Sequence, residues 1–145
     1  MALPVILLVE DNPDDVLLTT RALRESKVAN EIVVQPDGAA ALDYLLGAGS
    51  EDRPLPQVIL LDLRLPKMTG LELLAKLRSV ERTRRLPVVI LTSSDEERDV
   101  LQGYDLGANS YVRKPVEFHG FIEAVRQLGL YWLVINEPPP AGGGR

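Results

Sequence analysis

Three uninterrupted apolar runs limit what this chain can fold into: Pro4 to Val9 (PVILLV), Gln57 to Leu61 (QVILL) and Pro87 to Leu91 (PVVIL). Each has the length of a strand and none alternates with polar residues. Runs of that kind suit strands covered on both faces, as in the interior of a parallel sheet. Asn30 to Gln35 and Ser110 to Val112 are shorter and more polar, as edge strands can be. Helical patterns lie between the runs. Asn12-Pro13 offers an N-cap followed by proline at the first helical position, and Asp37 can cap the Ala-rich stretch after it. Thr69 to Glu72 and Ser94 to Glu97 fit the reciprocal capping box. Leu73, Leu74, Leu77 and Val80 recur at helical spacing, as do Phe118, Phe121, Ile122, Val125 and Leu128, with Gly129 as a stop. The pattern predicts five βα units without internal repeat. Right-handed crossovers then give an α/β, doubly wound parallel sheet with helices on both faces.

Composition narrows the functional classes. A chain of 145 residues predicts one domain with a real core. With no cysteine there is neither disulfide framework nor thiolate site, which favours a reducing, cytoplasmic setting. The formal charge of −5 argues against a nucleic-acid binder that works by neutralising phosphates. Met1 to Val9 lacks a basic leader and is ended by Glu10-Asp11, and no apolar stretch approaches the ~18 residues of a membrane span. No Walker loop, G-x-G-x-x-G or G-x-S-x-G motif is present.

Ligands of such sheets gather beyond the carboxyl ends of the strands. The first strand ends in Glu10-Asp11, the third in Asp62 and the fourth in Thr92, and the fifth runs into Lys114-Pro115. If the inner strands are neighbours, residues 51 and 52 apart in sequence meet in one crevice. Carboxylates held that closely repel unless a cation intervenes, and a hard divalent ion, Mg²⁺, is the expected one. Asp62 can then attack phosphorus as a nucleophile, with Lys114 and Thr92 stabilising the phosphoryl oxygens. Singly, each group has a plain structural reading: helix N-terminal acids (Glu10, Asp11, Asp14, Asp15), a turn aspartate, a strand-end hydroxyl, a solvated lysine. Only the joint pattern needs chemistry.

The stretches VEDNPDD (Val9 to Asp15), LLDLRLPKMTG (Leu60 to Gly70), VVILTSS (Val88 to Ser94) and GANSYVRKP (Gly107 to Pro115) strongly resemble a response-regulator receiver domain. The resemblance implies a flavodoxin-like sheet of order 2-1-3-4-5. It implies that Asp62 accepts a phosphoryl group from a sensor histidine kinase, and that Glu10, Asp11, Asp62 and the backbone carbonyl of Arg64 hold Mg²⁺. Thr92 and Lys114 contact the phosphoryl group, Thr92 and Tyr111 form the switch, and Lys114-Pro115 has a cis bond. A phosphate drawing Thr92 inward vacates space for Tyr111, altering the face formed by the helix expected after Ser94, the strand Ser110 to Val112 and the helix expected from Phe118. Arg64, two residues past Asp62, is larger and more charged than in many relatives, so its guanidinium can screen the phosphate.

Three further signals have structural readings. Arg78, Arg82, Arg84 and Arg85 read as cations on a solvated helix end, Gly47 to Pro56 as a solvated loop, and His119, the lone histidine, as surface decoration. The receiver spans residues 1–130, leaving an extension over 131–145. The run across that boundary, Leu130 to Glu137, is either a strap on its own subunit or an exposed apolar edge seeking another chain. That ending is similar to single-domain regulators paired with phytochrome-type histidine kinases, which implies a homodimer through exchanged arms or through the same face beside Ser110 to Val112. Three rivals are weaker. A dehalogenase-type phosphatase needs an aspartate where Arg64 stands. A flavin module needs a Ser/Thr/Gly first loop. An adaptor never phosphorylated would not require the full set of acceptor groups.

Overall fold

The computed structural model describes residues 4–28, 30–92, 105–114 and 118–134, with Thr92 and Trp132 described by their backbone alone. Five strands, β1 (Val5–Val9), β2 (Glu31–Gln35), β3 (Val58–Asp62), β4 (Val88–Thr92) and β5 (Ser110–Arg113), form one sheet of order β2-β1-β3-β4-β5. All four pairings are parallel. The expected fold class is therefore the observed one, with the two polar runs at the edges.

Alternation along the inner strands explains their unbroken hydrophobicity. Leu7, Val9, Ile59, Leu61, Val88 and Ile90 face α2 (Gly38–Leu46) and α3 (Gly70–Ser79), meeting Ala41, Leu45, Leu73, Leu74 and Leu77. Ile6, Leu8, Val58, Leu60, Val89 and Leu91 face the other way. They pack against Leu23 of α1 (Pro13–Glu25) and Phe121, Ala124 and Val125 of α4 (Phe118–Gln127). Each such side chain, once fully buried, contributes about 1.5–3 kcal/mol, so neither face tolerates a polar residue cheaply.

The helix starts follow the capping chemistry. Asn12 Oδ1 accepts from the N–H groups of Asp14 and Asp15, Asp37 Oδ1 accepts from Ala40 N–H, and Thr69 and Glu72 complete their capping box. The capping box expected at Ser94 to Glu97 lies outside the described residues. Gly129 adopts φ 73°, the left-handed geometry of a helix stop.

Two surface readings need correction. Arg78 is a clamp rather than a solvated cation: its guanidinium donates to the carbonyls of Leu86 (2.9 Å), Arg84 (3.0 Å) and Gly107 (2.7 Å). Backbone carbonyls just before β4 and β5 attract a charge that periodicity alone assigns to water. Arg82 likewise donates to the carbonyls of Ser50 and Arg53. Those bonds reach into the second misread segment, Gly47 to Pro56. It contains a helical turn over Ser50–Asp52, buries Ser50 and Pro56, and stacks Arg53 on the Tyr44 ring. His119 is exposed, as expected.

Beyond Gly129 the chain forms one helical turn, α5 (Tyr131–Val134), rather than an extended edge. Val134 is buried in the core that α1 and α4 share with the sheet, and Leu133 is exposed. Up to Val134, then, the arm lies on its own subunit. Residues 135–145 are outside the described part.

Candidate functional site

The carboxyl ends of β1 and β3 are adjacent, with Val9 paired to Leu61, so Glu10 and Asp62 emerge side by side. Glu10 stays aligned because its N–H donates to Gln35 O on β2 at 3.0 Å. Its side chain is sealed from solvent, and Oε2 accepts weakly from Asn12 N–H at 3.3 Å. Asp11 is exposed beside it. The Asn12 cap aims the start of α1 at the same place, where the helix dipole favours negative charge.

Asp62 is the last residue of β3 and is 5% exposed. Its position is fixed from below. Gly70 presses so closely on β3 that a β-carbon there would collide with the Asp62 carbonyl oxygen. Gly70 N–H donates to Leu63 O at 3.0 Å, while Leu63 and Leu65 bury their side chains in the α2/α3 core. The loop between closes through a tight turn at Lys67, φ 67°, with Met68 N–H donating to Pro66 O. Asp62 Oδ1 accepts from Arg64 N–H at 3.2 Å, leaving Oδ2 facing the crevice.

Lys114, one residue past β5, points back across the sheet. Its Nζ lies 2.8 Å from Glu10 Oε1, 3.1 Å from Asp62 Oδ2 and 3.1 Å from Asp15 Oδ2. Glu10, Asp11 and Asp62 each bring a carboxylate oxygen within 4.8 Å of the others. The resulting crevice, about 290 Å³, is lined by these groups with Asn12, Asp15 and Arg64.

Electrostatics follow from that crowding. Burial foremost, then the negative charge of Asp62, pushes the Glu10 carboxyl up to about 7, although the Lys114 bond pulls the other way. Burial of Lys114 favours loss of its proton, but the bond to Glu10 and the neighbouring carboxylates outweigh it and raise its pKa. More acids than bases share a half-closed space. Hard oxygens with surplus negative charge fit a divalent cation that keeps some of its waters.

Of the residues expected here, the structure joins Glu10, Asp11, Asp62, Arg64 and Lys114. Thr92 ends β4, its backbone paired with Arg113 and one step past the Asp62–Leu91 pair; its side chain lies outside the described part. Tyr111 is exposed on β5 between buried Ser110 and Val112. Asp15 was read from sequence only as a helix N-terminal acid. Local pattern gives it no other reading, since its partner Lys114 is 99 residues away in the chain.

Comparison with known proteins agrees with this geometry. The profile of the family described as "Response regulator receiver domain" matches residues 6–126. The chain is 42% identical over 135 residues to "Probable methanogenesis regulatory protein FilR2" of Methanothrix harundinacea, covering 93% of this chain and 87% of that protein. It is 39% identical to "Response regulator Rcp1" of Synechocystis, covering 94% of each, and superposes on Mn²⁺-bound Rcp1 with a TM-score of 0.72. The bacteriophytochrome response regulator AtBRR superposes with a TM-score of 0.82 at 51% identity, covering 94% of this chain and 100% of that one.

Proposed function

The chain belongs to the response regulator receiver domain family, and from that membership we propose that it is a single-domain regulator whose Asp62 accepts a phosphoryl group from a sensor histidine kinase. The observation that supports this best is the free-facing Asp62 Oδ2, 3.1 Å from the Lys114 ammonium and within the three-carboxylate cluster. The Asp62 oxygen attacks phosphorus as the N–P bond to the kinase histidine breaks. The electron pair returns to the imidazole, which takes up a proton. Lys114 stabilises charge on the phosphoryl oxygens, and the Thr92 hydroxyl donates to one of them. Glu10, Asp11, Asp62 and the Arg64 carbonyl would hold Mg²⁺, which when bound neutralises the phosphoryl oxygens and the crowded carboxylates. Catalysis extends no further than the protein's own phosphorylation and dephosphorylation.

Phosphate on Asp62 then draws Thr92 inward, and Tyr111 turns into the space released, changing the surface beside β5. Signalling follows from protein contact through that surface. The similarity to AtBRR, by name a bacteriophytochrome response regulator, supports a phytochrome-type kinase as partner, and the cysteine-free composition suits a cytoplasmic setting. The same reading includes a homodimer, through the C-terminal arm or the face at β5. Among the described residues no helix is long and apolar enough to cross a membrane, and no nucleic acid is invoked. Light scattering on a chain ended after Val134 tests the arm version, which an unchanged dimer mass removes.

Incubation with Mg²⁺ and acetyl phosphate, followed by intact mass, tests the acceptor. One adduct of about 80 Da is expected, absent in Asp62→Asn and after chelation. An unphosphorylatable chain, with acetyl phosphate and with kinases alike, would leave the adaptor reading instead.

A further inference from the structure

A lysine ammonium has three N–H donors and no acceptor. Around Lys114 Nζ stand three carboxylate oxygens, from Glu10, Asp62 and Asp15, at 2.8, 3.1 and 3.1 Å. Of the three, only the Asp15 contact has full hydrogen-bond geometry, Nζ donating to Oδ2, while the other two are ion-pair contacts. A phosphoryl oxygen on Asp62 must therefore draw the ammonium away from the oxygen that orients it. The three differ in what release costs. The Glu10 side chain is 0% exposed and that of Asp62 7%, so neither regains water on losing the ion-pair contact. The Asp15 side chain is 36% exposed, and water replaces its partner at little cost. Asp15 also cannot drift far, because its backbone N–H is held by the Asn12 cap at the start of α1. Its charge therefore stays beside the crevice in either state.

We propose that Asp15 is a positioning residue that competes with the phosphoryl group for the Lys114 ammonium and so restrains phosphorylation of Asp62. The proposal rests on Asp62 as acceptor and Lys114 as the group that meets the phosphoryl oxygens. With Asp15 in place, the ammonium is held on the α1 side of the crevice and a negative charge faces an anionic donor. Without it, one N–H is available from the outset and the repulsion is gone. Both effects act in the same direction.

The test is the rate of adduct formation from acetyl phosphate at saturating Mg²⁺, followed by intact mass. Asp15→Asn is expected to accelerate it about two- to fivefold, as suits one half-exposed ion pair. Asp15→Glu, which keeps the charge and can regain the contact, is expected to return the rate to that of the unaltered chain. In a Lys114→Gln background, Asp15→Asn is expected to change the rate by less than half its effect in the unaltered chain, because it acts largely through the ammonium. An unchanged or slower rate in Asp15→Asn would overturn the proposal, and so would an equal acceleration with and without Lys114. If the unaltered chain forms no adduct with acetyl phosphate or with a kinase, the acceptor reading of Asp62 falls and the proposal with it; if it forms one and Asp15→Asn is not faster, only the proposal falls.

Discussion

The two ends of the sheet use charge in opposite ways. At the amino ends of β4 and β5, Arg78 is spent on backbone carbonyls at 2.7–3.0 Å, bonds with fixed acceptors that have no other partner to gain. At the carboxyl ends, Glu10, Asp15 and Asp62 crowd one ammonium beside a crevice of about 290 Å³. A charge matched to immobile backbone stabilises the fold and does nothing else. A surplus of like charges with room between them stores unfavourable energy that a cation or a phosphoryl group relieves. The two ends should therefore respond to mutation in opposite senses: stability lost at one, chemistry lost at the other.

The largest effect is expected at the clamp. Arg78→Ala strands carbonyls ahead of both β4 and β5 and should lower unfolding stability by about 2–3 kcal/mol in urea titration. A loss below about 0.5 kcal/mol would show the clamp to be incidental and erase the contrast. Next comes Gly107, which adopts φ 94° and leaves room for Arg78: a β-carbon there would stand 2.9 Å from Nε. Gly107→Ala should cost about 1–2 kcal/mol, most of it absent once Arg78 is already removed.

The opposite end should behave differently. Asp62→Asn removes one like charge from the cluster and is expected to leave stability in chelator unchanged or raised by about 0.5 kcal/mol. Marked destabilisation there would mean that Asp62 serves the fold.

The smallest effect concerns pH. The Glu10 carboxyl, raised from 4.5 to about 7 in the folded chain, holds its proton more tightly folded than unfolded. Its contribution to stability is then fully present below the unfolded value and is lost as pH rises through about 7. Urea midpoints in chelator should show that fall in the unaltered chain and a flatter profile in Glu10→Gln.

Much of this was legible in the sequence. The inner strands could be read because burial on both faces removes every polar residue from Ile6–Val9, Val58–Leu61 and Val88–Leu91. Asp62 and Glu10 could be read because each ends or follows such a run where a parallel sheet gathers ligands, and Lys114 because it follows the last strand of the same sheet. Arg78 and Asp15 could not. Local pattern shows a charged residue near a helix end in both cases, and only the fold decides whether it meets water, a carbonyl 29 residues away in the chain, or an ammonium 99 residues away. The arm after Gly129 was ambiguous for a similar reason, since its aromatic and β-branched residues suit a strand until Val134 finds a place in the α1/α4 core.

The contrast between the ends reduces to one comparison. Intact mass after Mg²⁺ and acetyl phosphate should be recorded for Arg78→Ala and Asp62→Asn, at a temperature where both remain folded by circular dichroism. Expected is one adduct of about 80 Da on Arg78→Ala and none on Asp62→Asn. An adduct that persists in Asp62→Asn, or one missing from folded Arg78→Ala, would contradict the division of the molecule into a structural end and a chemical one.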